Sequence, residues 1–421
     1  MLELKALKKS YFYIIIEFLI YFIPVAIILG NSVLNLLNLI IVINFIIIII
    51  KNKNVLIYYK KFAQIFFLIS IFFFINILLS EDKSRSLVSF IGFFGHYIIM
   101  TSIILCIDVN FSFRKNFSKI IFLVLIFVGI DTLYQYLSGS DIFGHEISYG
   151  HGKRLSGPFG DEYVVGSFIS KLFFISILFI ENKKLKYLKL FLVFSFFLIV
   201  ILSNERAASL MFFFSIVIYF VLNNEFSIKE KLAKFLTLTV IIFTIFSFNK
   251  QLKDHFIKRT FDQIGITQNN TKIHNNFWDS QWGAHFLTSI EIYKDYPIIG
   301  SGLRTFRIVC SDPKYNNIDS LEFEVRCNTH PHNIYLEILS ETGTIGFIIF
   351  ISFVIFITFK FIIIIIRKTN LNNEELYLFI TFFLLFNPLQ TTGAFFSTWN
   401  GMFYWFLLPF IINLFKRTNQ E

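Results

Sequence analysis

The stretch LNLLNLIIVINFIIIII, residues 34–50, contains no charged side chain, and neither does FAQIFFLISIFFFINILL, residues 62–79. A helix of about 20 apolar residues spans a hydrocarbon core of roughly 30 Å. Hydrophobic residues occupy 55% of the 421 positions, against roughly 45–50% in soluble domains, and the excess is concentrated in such runs. The sequence therefore predicts an all-α fold, a polytopic membrane helical bundle.

Similar apolar runs recur along the whole chain and predict about twelve transmembrane spans within a single membrane domain, residues 1–421. The run at 334–366 is long for one span, so we expect its helix to extend beyond the membrane. The spans are expected near residues 11–29, 33–50, 62–79, 87–107, 117–137, 159–180, 187–203, 206–222, 233–248, 334–366, 375–391 and 397–415.

The basic residues predict the orientation of these spans. Lys and Arg are much more frequent on one set of alternate loops, such as those holding Lys51, Arg114 and Lys229, and loops of this kind face the cytoplasm. We therefore expect a multi-pass protein of the bacterial inner membrane with both termini cytoplasmic. Because the net charge of +10 follows from this bias, it requires no nucleic acid partner.

A long segment, residues 249–331, separates the predicted spans 9 and 10. Long connections inside compact proteins are usually functional. Trp282, Phe286, Ile290 and Tyr293 recur at helical spacing, which predicts a large, mostly helical periplasmic loop.

Cys310 and Cys327 share this loop, where an oxidising periplasm favours a disulfide. The alternative is a pair of unpaired thiols too far apart to join. We expect Cys106 to be a small buried apolar residue.

Motifs for nucleotide or metal chemistry are absent from the sequence. It contains no G-x-x-x-x-G-K-[ST], no D-x-D and no His/Cys group with zinc spacing. We therefore expect an enzyme without cofactor or metal, which takes its energy from an activated substrate. Most ionisable residues fall near span ends, and this disfavours a secondary transporter, which usually keeps such residues near the midplane.

The strongest local pattern is His332-Asn333, followed after nine residues by Gly343-Thr344-Ile345-Gly346. Thr329 and Pro331 suit the cap and first position of a helix, which would place His332 in its first turn. The helix dipole disfavours imidazolium there, so neutral His332 is a candidate general base toward a hydroxyl. The alternative is an interfacial residue that only makes hydrogen bonds.

Further candidates are Glu341, which would orient a partner or pair with an arginine, and four arginines. A guanidinium is always charged and binds phosphate through a bidentate fork. For Arg206 the alternative is a snorkelling anchor or a salt bridge to Glu205, and for Arg154 an ordinary turn before a span. Arg304 and Arg307 either present charge or follow a structural elbow. These substrate-binding candidates are Arg206, Arg154, Arg304 and Arg307.

These motifs resemble the O-antigen ligase and O-antigen polymerase superfamily. The family signature of His, then Asn, Ser or Gln, then nine residues and G-x-x-G is similar to His332–Gly346. Its Arg-bearing span start resembles Asn204-Glu205-Arg206-Ala207. Its D-x-P-x-x-G-x-G and R-x-S-G-x-F-G elements resemble Asp295–Gly302 and Arg154–Gly160.

The resemblance implies a metal-independent glycosyltransferase whose donor is a glycan on undecaprenyl pyrophosphate. It implies His332 as the periplasmic base and Arg206, with Arg154 and Arg304, at the pyrophosphate. A ligase passes the glycan to lipid A core, whereas a polymerase joins lipid-linked repeat units and related members glycosylate proteins. The alternatives of other classes are a polysaccharide flippase or other transporter, and a noncatalytic membrane scaffold.

Overall fold

The computed structural model describes residues 7–148, 153–263, 276–368 and 371–418. Within these ranges the chain is helical, and the only β-type pairings are isolated bridges. The principal helices are α1 (Tyr11–Leu29), α2 (Asn31–Lys51), α3 (Lys60–Leu78), α4 (Lys83–Val109), α5 (Phe113–Ser138), α6 (Val165–Ser176), α7 (Lys186–Leu202), α8 (Arg206–Leu222), α9 (Ile228–Phe248), α10 (Gln281–Asp295), α11 (Ile334–Arg367), α12 (Asn373–Phe386) and α13 (Thr398–Thr418).

Short helices connect them. The α-helical ones are Lys53–Tyr58, Lys250–Lys253, Arg259–Gln263 and Phe306–Val309, and Asp254–Lys258 is a π-helical turn. The 3₁₀ turns are Leu7–Lys9, Gly157–Phe159, Lys183–Leu185, Phe277–Asp279, Pro313–Asn317 and Phe323–Val325.

A helix occupies each position where a span was expected, because long apolar runs can satisfy their backbone in a bilayer only by coiling into helices. In the described ranges, 7 helices are long and apolar enough to cross a membrane, namely α1, α2, α3, α4, α5, α9 and α11. The apolar helices α6 and α8 are shorter. The protein is thus an all-helical, multi-pass membrane protein, and the total of about twelve crossings stays a prediction.

The core of the bundle is built around α4, of whose apolar stretch 72% is buried, against 11% for the peripheral α9. Helix α4 packs between α2 and α13. The short α6 is almost completely buried, and it packs against α5, α7, α8 and α12. Large aromatic side chains fill these contacts, as Phe173 does between Phe196 and Phe212.

The connections between alternate helices meet at one end of the bundle, called here the loop end. Backbone bonds join Glu81 to Ser301, Leu155 to Ser203 and Thr392 to His332. Five segments contribute to this end, which the distribution of basic residues predicts to be periplasmic. Their described residues are 79–82, 139–148 with 153–164, 203–205, 249–263 with 276–333, and 387–397.

The loop end has a small apolar core of its own, formed by Ile292, Phe306, Val309, Cys310 and Tyr315. The predicted helical periodicity around Trp282 is confirmed by α10. The predicted disulfide between Cys310 and Cys327 is also confirmed, and its Cα atoms lie 5.3 Å apart. Cys106 is buried and free, as expected.

Candidate active site

Helix α11 is broken at Gly343, whose φ of 63° and ψ of −168° are not helical. A break leaves backbone N–H and C=O groups without helical partners. The segment Pro297–Gly302 supplies hydrogen-bond partners for these groups. Thr344 N–H donates to the Pro297 carbonyl at 2.8 Å, and Gly302 N–H donates to the Glu341 carbonyl at 3.0 Å. The two glycine motifs seen separately in the sequence therefore form one structural unit.

Glycine is required on both sides of this junction. A Cβ on Gly343 would lie 2.5 Å from the Ile298 carbonyl carbon and 2.6 Å from the Gly300 nitrogen. A Cβ on Gly300 would collide with the carbonyl group of Glu341. Both glycines also have positive φ values, 86° and 63° for Gly300 and Gly343, which side chains disfavour.

His332 lies immediately before the helix cap rather than in the first turn, so the prediction of a helix start at Thr329 and Pro331 was wrong. Asn333 is the N-cap, because its side chain accepts hydrogen bonds from Tyr335 N at 3.0 Å and Leu336 N at 3.2 Å. This leaves His332 in the left-handed region, with a φ of 59°.

The segment after α12 holds this conformation. Thr392 N–H donates to the His332 carbonyl at 2.9 Å, and the Asn333 side-chain amide donates to the Pro388 carbonyl at 2.8 Å. The backbone of the candidate base is therefore fixed from two sides.

The imidazole of His332 lies among three other rings. The ring centroids of Trp282, His330 and His285 are 4.9, 4.2 and 5.4 Å away. The Nε2 atom is buried and has no hydrogen-bond partner among the described residues. Burial lowers the pKa of His332 to about 3, and the two histidines contribute further. The ring is therefore neutral at physiological pH, and burial rather than the helix dipole is the main cause.

Sequence reasoning missed His285 and His330. His285 Nδ1 lies 2.9 Å from the Arg326 carbonyl, and His330 Nε2 lies 2.9 Å from the Thr392 carbonyl. These bonds make each nitrogen a donor, since a carbonyl only accepts. Burial lowers the pKa of both rings, that of His330 to about 4. One local signal was available for His285. Its i, i+3 spacing from Trp282 on α10 predicts that these two side chains share a helix face.

Arginine side chains lie beside the histidines. Arg307 Nη2 donates to the Thr329 carbonyl at 3.2 Å, and the Thr329 hydroxyl lies 2.8 Å from His330 Nδ1. Burial, Arg304 and Arg85 lower the pKa of Arg307, so like charges crowd this site. Arg304 has a φ of 57°.

Glu341 is buried and holds the backbone of this arginine segment. Its carboxylate accepts from Arg304 N at 2.6 Å and from Phe306 N at 3.1 Å. Among the described ion pairs it has no direct salt bridge, so it anchors the segment through the backbone. One turn earlier on α11, Glu337 accepts from Phe395 N at 2.9 Å.

A second cationic group surrounds the start of α8. Arg206 donates to the Thr260 hydroxyl at 3.0 Å and to the Gln263 side-chain carbonyl at 2.9 Å. Arg154 donates to the Tyr163 carbonyl at 2.8 Å and stacks 5.3 Å from that ring.

Glu205 does not pair with Arg206 in the described contacts. Its carboxylate accepts from Gly166 N at 2.5 Å and Ser167 N at 3.3 Å instead, near the start of α6. The salt-bridge alternative for Arg206 is therefore not what the structure contains.

The second group also includes Arg259 and His255, which sequence reasoning missed. They lie in the π-helical turn Asp254–Lys258 and the following helix, within electrostatic reach of Arg206 and Arg154. Burial lowers the pKa of His255 to about 4, and the three guanidiniums lower it further. The Lys258-Arg259 pair in an outward-predicted segment was a usable signal, because the positive-inside tendency does not explain it.

No described hydrogen bond joins Arg206 directly to His332; a buried chain of contacts connects the two groups. Lys171, buried in α6, donates to Asn400 Oδ1 at 3.1 Å and interacts electrostatically with Glu205. Asn400 donates to the Gly393 carbonyl at 2.8 Å, next to the residue that holds His332. In the described part of the chain, no group of side chains has an arrangement that could hold a metal ion.

Comparison with known proteins gives one family. Residues 190–351 match the model of the O-antigen ligase family, a stretch that contains Arg206, Arg304, Arg307, His332 and Glu341. The match confirms the resemblance identified from the motifs. Arg154 lies outside it. No curated protein matches the chain.

Proposed function

Because residues 190–351 match the O-antigen ligase family, we propose that this membrane protein is a ligase-type glycosyltransferase. It moves a glycan from undecaprenyl pyrophosphate to a hydroxyl of lipid A core at the periplasmic face. The family match supports an O-antigen ligase or polymerase type of glycosyltransferase. In this proposal the reaction requires no metal ion.

The observation that carries the proposal is the environment of His332. Its Nε2 is buried and without a partner among the described residues, in a ring that is neutral at physiological pH. A neutral imidazole nitrogen that makes no other hydrogen bond can accept a proton from a substrate hydroxyl placed next to it. Its backbone is also fixed, and a rigid base suits a reaction whose rate depends on orientation.

The acceptor hydroxyl oxygen forms a bond to the anomeric carbon, while the bond from that carbon to the pyrophosphate oxygen breaks. The hydroxyl proton passes to His332 Nε2, and the pyrophosphate leaves with the electron pair. A weak base suffices, because a hydroxyl becomes strongly acidic as it bonds to an oxocarbenium-like carbon.

The two cationic groups bind the leaving pyrophosphate in this proposal. Arg206, Arg154 and Arg259 form one group and Arg304 and Arg307 the other, beside the histidines. Fixed cations stabilise the charge that develops on a leaving group. Crowded guanidiniums repel one another, so a bound dianion would relieve that repulsion. Glu341 acts by positioning Arg304.

Reconstitution tests this function. The purified full chain in vesicles, supplied with undecaprenyl-pyrophosphate-linked glycan and lipid A core, should form a glycan–core product, and H332A should lose at least about a hundredfold in rate. K294A is the control, because Lys294 is an exposed cation on α10 paired with Glu291. Equal rates for H332A and wild type would contradict the base role. Polymer formed without lipid A core would favour the polymerase reaction instead.

A further inference from the structure

A cavity of about 120 Å³ lies between α2, α3 and α4, toward the end of the bundle opposite the loop end. The short helix Lys53–Tyr58, which connects α2 to α3, contributes to its lining. We propose that this cavity binds one acyl chain of an anionic phospholipid, whose headgroup phosphate contacts the lysines of the same segments. Such binding requires no glycan transfer, so the inference is independent of the proposed function.

The cavity is accessible from the lipid. Helices α2 and α3 each pack against α4, and Phe45 of α2, Phe66 of α3 and Phe94 of α4 line the space between them. Only 22% of the apolar stretch of α3 is buried, and the lining residues Leu56 and Ala63 are exposed. A lipid chain can therefore enter from the bilayer without crossing the protein core.

The polar side chains in the lining already have partners. The Tyr97 hydroxyl donates to the Phe62 carbonyl at 2.6 Å, and the Thr101 hydroxyl donates to the Tyr97 carbonyl at 3.0 Å. The Tyr59 hydroxyl donates to Asp108 Oδ2 at 2.9 Å. The walls therefore offer a ligand mainly dispersion contacts. Apolar cavities of about 150 Å³ stay dry and accept apolar guests, so this volume suits a segment of an acyl chain.

Exposed lysines accompany the cavity. Lys53 begins the short helix, and Lys60 and Lys61 begin α3 directly before the lining residues of that helix. The Asp108 carboxylate is paired with Lys416 at 3.2 Å, so it does not cancel the charge of these three lysines. Basic clusters at the cytoplasmic ends of transmembrane helices attract anionic lipid headgroups. The charge therefore favours an anionic lipid over a zwitterionic one.

The depth of the cavity matches one leaflet of the bilayer. Phe66 follows Lys60 by six residues along α3, and Phe45 precedes Lys51 by six residues along α2. Both phenylalanines therefore lie about 9 Å along the helix axis from a lysine. One leaflet supplies roughly half of the 30 Å hydrocarbon core. An acyl chain whose headgroup lies at the lysines would thus pass both rings.

The polyprenyl chain of the donor is the other apolar ligand that the cavity could take. In the proposed function its pyrophosphate lies at the loop end, whereas α3 begins with Lys60 at the opposite end of the bundle. A polyprenyl chain in the cavity would leave the lysines without a phosphate. The charges therefore favour a phospholipid of the opposite leaflet.

Native mass spectrometry of the purified full chain in detergent tests the headgroup preference. The probes are phosphatidylglycerol and phosphatidylethanolamine with identical acyl chains. Each lysine near a membrane surface contributes about fivefold in affinity for an anionic lipid. We therefore expect wild type to bind the first phosphatidylglycerol about 25-fold more tightly than the first phosphatidylethanolamine, and K60Q/K61Q to lose most of this preference. K184Q/K229Q is the control, because Lys184 and Lys229 are exposed lysines of the same predicted cytoplasmic face.

The apolar part of the site is tested by A63F. Ala63 is an exposed residue of the lining, so a phenyl ring there would occupy space that the acyl chain needs. We expect A63F to bind phosphatidylglycerol at least about fivefold more weakly. I65F is the matched control, because Ile65 is exposed on the same helix and lies outside the lining.

Thermal unfolding in detergent gives an independent readout, since a ligand of the native state raises the unfolding temperature. Phosphatidylglycerol should raise that of wild type and I65F more than that of A63F. Equal affinities of wild type for the two lipids would overturn the inference, and so would equal losses in K60Q/K61Q and K184Q/K229Q. If A63F weakened binding of the lipid-pyrophosphate donor but not of phosphatidylglycerol, the cavity would take the polyprenyl chain and the inference would be wrong.

Discussion

Gly300 and Gly343 face each other backbone to backbone, and the Gly300 nitrogen would lie only 2.6 Å from a Cβ placed on Gly343. The contact joins the break in α11 to the segment that carries Arg304. Since Asn333 begins the same helix, this glycine pair fixes the separation between the candidate base and the neighbouring guanidiniums.

Alanine at either glycine should therefore damage both the fold and the activity. We expect G300A and G343A each to lower the free energy of unfolding by about 2–4 kcal/mol, from overpacking and positive φ together. Thermal unfolding in detergent and glycan transfer in vesicles measure the two effects.

Gly92 in α4 provides the matched control, because it has a helical φ and nothing within 4 Å of an added Cβ. G92A should be neutral or slightly stabilising, since alanine has the higher helix propensity. Equal thermal stability of G92A and G343A would show that the junction tolerates a side chain.

The histidine should give an unusual pH profile. Burial lowers the pKa of His332 to about 3, so the neutral, proton-accepting form persists far below the ordinary value of about 6.5. A general base is active above its pKa and inactive below it. We therefore expect kcat to stay level from pH 8 to about pH 5, and to fall only at more acidic pH.

Measuring kcat in vesicles across this range tests the sign and the position of the change. H332Q keeps the side-chain size but lacks a basic nitrogen, so its residual rate should be low and independent of pH. A wild-type midpoint near pH 6.5 would mean that the ring titrates as if it were in water.

Much of the membrane domain could be predicted from the sequence, because each span is a local feature. An uncharged run such as residues 34–50 becomes a helix whatever its neighbours are, since lipid offers no partner for the backbone. The start of α11 could not be predicted in the same way. Thr329 and Pro331 suit a helix start as well as Asn333 does, and the choice depends on Pro388 and Thr392, which are distant in sequence.

The histidine cluster shows the same limit more sharply. His285 has no motif of its own, and it reaches His332 only because α10 packs on α11. His330 lies two residues before His332, but its ring is held in place by the carbonyl of Thr392, which is distant in sequence. The G-x-x-G motif was visible, but its role was not. At the helix break, Thr344 N–H donates to the Pro297 carbonyl. The spacing of the motif does not reveal which segment supplies this hydrogen-bond partner.

The cap of α11 offers a separate test. Asn333 accepts from two backbone N–H groups and donates to the Pro388 carbonyl. We expect N333A to cost about 1–2 kcal/mol of unfolding free energy and to slow transfer, because the cap and the link to 387–397 are both lost.

N333D separates these contributions. Aspartate keeps the cap but has no amide to donate to Pro388, so it should retain stability better than alanine while still slowing transfer. If N333D and N333A lose the same stability, the cap is not the stabilising contact.

The disulfide supports the histidines from outside. Cys327 follows Arg326, whose carbonyl is 2.9 Å from His285 Nδ1. A bridge over a sequence separation of 17 contributes about 3 kcal/mol in the chain-entropy view. We expect a reducing agent to lower the unfolding temperature and the transfer rate of wild type.

The double variant C310S/C327S controls for side effects of the reductant. It should resemble reduced wild type, and the reductant should change it no further, since Cys106 is buried and already free. A reductant-induced loss of the same size in the double variant would trace the effect to something other than the bridge.

Arg206 should bind the donor pyrophosphate through the orientation of its guanidinium as well as through its charge. Its two terminal nitrogens are each held, one by Thr260 and one by Gln263, and this orients the fork that phosphate binding uses. We expect R206A to raise KM for the lipid-pyrophosphate donor at least about tenfold. R206K should recover only part of this loss, because lysine keeps the charge without the fork.

Donor chemistry makes this prediction specific. With a lipid-monophosphate-linked glycan, wild type should already bind weakly, and R206A should add little, because the charge it recognises is smaller. K294A removes an exposed cation paired with Glu291, so it controls for the loss of one positive charge. If R206A weakened both donors by the same factor, or if K294A matched it, Arg206 would contribute general electrostatic attraction instead of a pyrophosphate contact.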